Sequence, residues 1–322
     1  NPELYFQTKL YTGNGSANHA ITFDGSEDMA PNIVWIKNRD ASDSHCIFDT
    51  VRGATKLSHI NSQGNETTDT DTLDSFTSDG FQVDADVKVN TNTEKYVAWC
   101  WKESATAGLD IVSYTGNATA RTIAHNLGVV PKTVLLGSLG DDGWRPSIEN
   151  ITGTDQGSLK FFNTSAEGTG YFPSTAPDAS NFSLSSHGSV NETGDGYVAY
   201  VFADVQGFSK FGKYVGNGNA DGTMIVTGMR PAFVICKNTS GTGNWGIKTA
   251  KSQAYNGADV TLFANTTGAE SGFSDNKVDL LSNGFKIRTA SSDFNTSGSN
   301  YIYMAFAEQP FVNSNGVPCN AR

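Results

Sequence analysis

Charge is scarce in this chain. Asp, Glu, Lys and Arg make up only 17% of its 322 residues, and the balance is acidic, with a formal net charge of −11. Such a surface repels phosphate backbones and anionic headgroups, so nucleic acid and membrane surfaces are excluded as expected partners. No run approaches the roughly eighteen apolar residues that a spanning helix requires, so no membrane insertion is expected. Cysteine is rare too. Cys46, Cys100, Cys236 and Cys319 lie more than fifty residues apart, without a CxxC pair. That spacing excludes a zinc finger or ribbon, and a chain of this length needs no disulfide framework. Cys100 and Cys236 sit inside apolar runs and read as core residues, whereas Cys46 and Cys319 carry no signal of their own.

Helical periodicity and catalytic signatures are missing as well. No window of about eleven residues places apolar side chains at helical spacing, so any helix should be one or two turns long. The five histidines, His19, His45, His59, His125 and His187, have no metal-like spacing, and no GxSxG elbow occurs. YTGNG at 11–15 lacks the GK[ST] of a phosphate loop and reads as a strand end entering a turn. DTDTLD at 69–74 carries three Asp but neither the Gly nor the terminal Glu of an EF-hand loop. No catalytic residue, metal ligand or cofactor is therefore expected.

What the chain has is repetition. Pro31, Pro131 and Pro231 lie 100 residues apart and open PNIVWIK, PKTVLLG and PAFVICK. YTGNG (11–15), YTGNA (114–118) and YVGNG (214–218) precede them in step. SDGFQV (78–83), SNFSL (180–184) and SNGFKI (282–287) follow, and YVAWCW (96–101), YVAYVF (197–202) and YIYMAF (301–306) close each unit. A period of this length identifies a tandem array. Short runs rich in Val, Ile, Phe, Tyr and Trp, broken by Gly, Asn, Asp and Ser, read as strands, with Asp79-Gly80 and Asn283-Gly284 as tight turns.

The expected fold is all-β: three tandem copies of an antiparallel, jelly-roll-like β-sandwich of about 100 residues. The units run over 8–103, 110–204 and 208–310, between a lead-in at 1–7 and a polar tail at 311–322. The lead-in contains ELYFQ (3–7), which is similar to a protease-site tag but lacks the Asn before Leu and is read as native. Without an initial Met or signal pattern, the chain is expected to be the C-terminal part of something longer. The closing strands are apolar on both faces, as a central, doubly covered strand requires.

Residues shared by all three copies are scaffold types, and none is an acid, base or nucleophile. Binding, if present, should use the loops that differ: 59–72, 163–180 and 265–279. Their Asn, Ser, Thr and Gly side chains, including Asn163 and Asn265, offer hydrogen bonds to a polar partner. The Asn-x-Ser/Thr sequons among them reflect composition. Tyr171 and Phe172 are the aromatics placed in a loop. Trp144 and Trp245 occupy matching positions, with His45 in the first copy, and suit either sugar stacking or packing between units.

LYTGNGS (10–16), PNIVWIKNRD (31–40), SHCIFDTVRGATK (44–56), LDSFTSDGFQV (73–83) and YVAWCWK (96–102) together resemble a module of marine bacteriophage tail-fibre and virion surface proteins. The ending YIYMAFAEQPFVNSNGVPCNAR (301–322) resembles the close of such fibre proteins. The second unit departs most, with Gly137 in place of the Lys of IKN and no VRGATK string. The resemblance implies a non-enzymatic, extracellular virion protein that contacts other tail proteins and a host glycan or protein. It transfers no catalytic residues. Fibre proteins of this kind commonly form homotrimers, the favoured oligomer here. A rival is closure of the three units within one chain. Two other functions compete: a polysaccharide-degrading enzyme, which needs a carboxylate pair, and a bacterial adhesin array, which needs repeated exposed aromatics.

Overall fold

The computed structural model describes residues 1–153, 156–173, 175–252, 256–272, 276–310 and 317. The β-branched and aromatic runs form antiparallel strands, and the described helices are single turns such as Val87–Asn90 and Gly188–Asn191. An opening strand, Phe6–Thr12, pairs with the closing strand Lys95–Trp101. The closing strand pairs with the post-proline strand Ile33–Asn38, which pairs in turn with Cys46–Asp49. The same order recurs with Leu109–Thr115, Gly196–Phe202, Thr133–Ser138 and Trp144–Pro146. It recurs again with Ser209–Val215, Asn300–Pro310, Met229–Asn238 and Gly246–Thr249. Lys56–His59 and Thr67–Thr68 extend the first sheet to six strands, and Val260–Phe263 and Ser271–Gly272 extend the third.

A smaller sheet covers the outer face of each large one. It has three strands in the first unit (His19–Thr22, Gly80–Val83, Leu73–Thr77) and three in the third (Met224–Val226, Gly284–Ile287, Val278–Leu281). In the second unit, among the described residues, the small sheet consists of Arg121–Ala124 paired with Asn181–Leu184. Each unit is thus a β-sandwich with its own core. Tyr96, Ala98 and Cys100 point into the first core, with Ile21, Phe81 and Val83 opposite. Cys46 is fully buried in the same core, which gives it the packing role its sequence position left open. Cys319 lies outside the described residues.

The inner faces of the three large sheets meet one another. Val97, Trp99 and Trp101 share a single cluster with Val198, Tyr200 and Phe202 and with Ile302, Met304 and Phe306. Phe6 stacks on Phe306 at 5.3 Å between ring centroids, Trp99 meets Phe233 edge-on at 5.5 Å, and Phe161 stacks on Trp245 at 4.2 Å. Each such ring removes on the order of 150–250 Å² from water, which makes this shared core the main apolar payload of the fold. It also explains the doubly apolar closing strands: one face serves the unit's own sandwich, the other the common centre. At that centre a void of about 30 Å³, lined by Trp35, Leu135 and Ile235 among others, has no polar wall.

The units close into a ring. The Glu66 N–H donates to Leu139 O at 3.0 Å, Glu167 N–H to Thr239 O at 2.9 Å, and Glu270 N–H to Arg39 O at 2.8 Å. The donors belong to units one, two and three, and the acceptors to units two, three and one. The lead-in is part of this architecture, since Phe6 is buried in the common core and Pro2–Leu4 forms a short 3-10 turn. One landmark differs from expectation. Pro131 and Pro31 precede their strands, but Pro231 lies inside Met229–Asn238, where the pairing with the closing strand shifts register on either side of it. Proline has no N–H for the ladder, and the bulge absorbs that loss.

Candidate functional site

The recurring motifs are explained by structure. In each unit the opening-strand tyrosine stacks on the closing-strand tyrosine: Tyr11 on Tyr96, Tyr114 on Tyr197 and Tyr214 on Tyr301, at 5.1, 5.0 and 5.0 Å. The closing-strand hydroxyls donate to Val87 O, Gly188 O and Ser292 O, and so pin the turn before the strand. A buried Asn in that turn (Asn90, Asn191 or Asn295) accepts from the backbone N–H of Asn14, Asn117 or Asn217. This fixes the YTGN-type segments against the turn. Gly13, Gly116 and Gly216 permit the contact, because a Cβ there would lie 2.0–2.3 Å from a backbone carbonyl. The expected strand end and turn is what forms.

The VRGATK motif is equally structural. Arg52 donates to Asp49 Oδ2, Ser58 Oγ, Glu66 Oε2 and Ile47 O, and its guanidinium lies 5.7 Å from the Trp144 ring centroid. Tyr200 of the second unit donates to the same Asp49 at 2.8 Å. Burial raises the Tyr200 hydroxyl well above the usual phenol range. The string missing from unit two is therefore one half of a seam that unit two completes with Tyr200.

The position shared by His45, Trp144 and Trp245 serves the interior. Trp144 and Trp245 are 1% and 0% exposed, so neither offers a ring face to a sugar. Trp245 Nε1–H donates to Lys160 O of unit two at 2.8 Å. His45 accepts from Trp35 Nε1–H at its Nδ1 and donates from Nε2 to Phe263 O of unit three at 3.1 Å. Burial holds His45 well below the ordinary imidazole range, consistent with this neutral tautomer. His45 and Trp245 each reach a neighbouring unit's carbonyl through a ring nitrogen, while Trp144 packs against Tyr200 and under the Arg52 guanidinium of unit one. Packing between units, not stacking on a ligand, is what the position does.

The remaining sequence-predicted residues separate. Phe172 is buried in the core of unit two, on the side where the other units have a third small-sheet strand. Asn265 accepts from Trp245 N–H and donates to Asn244 Oδ1, and Asn163 accepts from Ser165 N–H in a local turn. Tyr171 is half-buried, with the Arg145 guanidinium 4.5 Å from its ring centroid, His187 at 4.7 Å and Lys160 Nζ at 5.7 Å. Sequence reasoning missed Arg145, Lys160 and His187, which converge on Tyr171 only through folding. In an acidic chain this sets two cations, Arg145 and Lys160, and an imidazole around one aromatic.

The three variable loops are not free along their length. Besides the ring-closing N–H bonds, the Glu66 carboxylate pairs with Arg52 and that of Glu270 with Arg39. The acidic run is likewise engaged locally: Asp69 Oδ1 accepts from Asp71 N–H, and Asp71 Oδ1 from Ala85 N–H. Among the described residues no group of three His, Cys, Asp or Glu side chains is arranged to hold a metal. Three buried lysines are bonded to backbone oxygens. Burial pulls Lys37 and Lys237 down to about 8, and Lys248 to about 7. Lys248 donates to Ala258 O, Val260 O and Thr261 Oγ1, so its ammonium is held by the scaffold. No described helix is long and apolar enough to cross a membrane.

No curated protein and no solved structure matches the chain. A family described as "Domain of unknown function (DUF7483)" matches residues 1–310, from the lead-in to the end of the last closing strand. The match spans all three units and the lead-in that packs with them, and the chain belongs to this DUF7483 family.

Proposed function

We propose that the chain is a non-enzymatic virion surface protein of the tail-fibre kind, carrying an attachment surface for a host glycan or protein. The observation that carries this reading is the ring of three sandwiches on one aromatic core. A single chain thereby presents a rigid, roughly threefold head with a polar, weakly charged exterior. The sequence resemblance to phage fibre modules supports the same reading. We assign the attachment surface to the Tyr171 cluster of unit two, where Tyr171 and Lys160 are half-buried and His187 is exposed, although Glu167 of the same loop is tied into ring closure like its counterparts.

The apolar faces that argued for a homotrimer cover one another within the chain. This favours the rival state, one chain acting as its own trimer. Light scattering of the purified chain should give a mass near 34.3 kDa. A mass about three times larger would restore the homotrimer. The hydrolase reading needs two carboxyls about 5–10 Å apart around a groove. Glu103 and Asp110 are neighbours, but each carboxylate is engaged by the backbone, Glu103 accepting from Ile111 N–H and Asp110 from Asn126 N–H. The attachment reading is tested with purified virions. Antibody raised against the chain should label their surface, and the free chain should compete with virions for adsorption to host cells. Unlabelled virions would reject it.

A further inference from the structure

Two of the junctions between units share a backbone frame but differ in how it is filled. At the first junction Asn32 Nδ2 donates to Thr50 Oγ1 at 3.0 Å, and Asn32 Oδ1 accepts from Glu103 N–H at 2.9 Å. The backbone bond from Thr50 N to Asn32 O has its counterpart in Ala250 N to Ala232 O at the junction of units three and one. Two alanines thus stand where the first junction has a bonded Asn–Thr pair. A cavity of about 260 Å³ opens there, lined by these alanines, Gln7, Thr8, Arg230 and Glu308.

The polar groups of the cavity are not used up by the protein. Gln7 and Thr8 are each 4% exposed, yet Gln7 Oε1 and Thr8 Oγ1 make no hydrogen bond within the chain. The strand register matches Thr8 with Ile111 and Phe211, so its hydroxyl replaces an apolar side chain. The same register matches Gln7 with Asp110, which accepts from Asn126 N–H, and with Lys210, which pairs with Asp204. Buried polar atoms without a protein partner call for one from outside. Each charge at the rim is engaged within the chain: Arg230 pairs with Glu308 at 3.0 Å, Lys251 pairs with Asp24, and the Glu3 carboxylate accepts from Ser26 N–H and its hydroxyl. The cavity therefore favours a neutral ligand with several hydroxyls and an apolar face to set against the alanines. Its size, roughly that of eight or nine waters at ~30 Å³ each, admits one hexose and not a chain of them.

We propose that this junction cavity is a binding site for a single neutral monosaccharide. The inference deepens the attachment reading, on which its biological sense rests, but binding is measured on the purified chain alone. Glucose, galactose, mannose and N-acetylglucosamine are titrated separately by ligand-observed NMR and calorimetry. At least one should saturate, at about 1–10 mM given the ligand efficiency of so small a molecule. The double variant Ala232→Asn, Ala250→Thr rebuilds the first junction's pair and should weaken that binding at least tenfold while keeping the wild-type near-ultraviolet spectrum. Thr8→Val, which removes a hydroxyl without filling space, should weaken it several-fold and serves if the double variant fails to fold. Absence of saturation with all four sugars means water is the only occupant and overturns the proposal. So does unchanged affinity in either folded variant. Virion adsorption assays read the attachment role separately, so loss of sugar binding with adsorption intact would sink this inference alone.

Discussion

Unit two and its neighbours differ in what they keep. All three retain the four-strand sheet, the stacked tyrosine pair, the buried Asn and the clasping Glu N–H. Among the described residues unit two has two small-sheet strands rather than three, and it carries Arg145 where Cys46 and Gly246 stand in the others. Of the retained parts, the four-strand sheet and the clasping N–H meet the common core or the neighbouring unit, while the tyrosine pair and the buried Asn brace each unit's own core and turn. The altered parts lie toward each unit's own small sheet, on the side away from the common core. Ring closure fixes the face of each large sheet that meets the common core, and the differences between units fall on the opposite face.

The largest expected effect lies on the constrained side. Trp99 is fully buried between Trp35 and Phe233, at a point where units one and three meet. Trp99→Ala should cost about 3–5 kcal/mol, as for other large buried rings. Because the core is shared, unfolding in denaturant should remain one transition, followed identically by fluorescence and circular dichroism. Separate transitions for separate units would break the picture of a single core and would make each sandwich its own folding domain.

Next come the Asn residues that hold the recurring turns. Asn295 donates to Asn217 Oδ1, Asn219 O and Thr289 O, and Asn90 and Asn191 make closely similar sets. Replacing any one by Ala leaves several buried groups unpaired and should cost about 2–3 kcal/mol. The comparison predicts nearly equal costs in the three units, including the divergent one. A markedly smaller value for Asn191→Ala, measured by urea unfolding, would mean that unit two has loosened its scaffold as well as its outer face.

Much of this frame was legible in the sequence because it depends on local chemistry and period. Val97, Trp99 and Trp101 alternate with Tyr96, Ala98 and Cys100, and that pattern alone requires a strand covered twice. The equivalence of His45, Trp144 and Trp245 was also readable, but their task was not. Whether an indole N–H reaches solvent or a neighbour's carbonyl depends on how the units close. The same holds for the variable loops. Difference in length suggested exposure, whereas Glu66, Glu167 and Glu270, which recur nearly in step, are the trace of the clasp. Arg145, Lys160 and His187 had no mutual spacing to betray them, and the junction cavity arises from two unremarked alanines.

Lys248 sharpens the comparison through pH. It replaces Phe48 of unit one at the same register position and is 1% exposed. Burial sets its folded value at about 7, against 10.5 for a free lysine. Between these values the unfolded chain binds the additional proton, so this group makes stability rise as pH rises. The slope is up to about 1.4 kcal/mol per pH unit for one proton. Lys37 and Lys237 act in the same direction but are common to wild type and variant. Between pH 7 and 9, therefore, wild type should gain about 1 kcal/mol per unit relative to Lys248→Met. A constant difference between the two denaturation curves would show that the ammonium stays charged in the fold, held by its three oxygen partners.

The smallest effect is expected on the opposite face, at Arg145. Its side chain is 2% exposed, donates from Nη2 to Asp142 O at 2.9 Å and lies 3.8 Å from the Asp142 carboxylate. Its Nε and Nη1 have no hydrogen-bond partner, and the Tyr171 ring covers the guanidinium. A buried charge so incompletely bonded contributes little net stability, and an apolar side chain of similar length can replace it without loss. Arg145→Met should therefore change the unfolding free energy by no more than about 1 kcal/mol, with stabilisation the more natural sign. The same substitution removes the cation beneath Tyr171, so if the cluster is an attachment surface, competition for host adsorption should fall while stability does not. A loss of several kcal/mol would instead make Arg145 part of the scaffold, and unit two would owe its altered outer face to packing rather than to recognition.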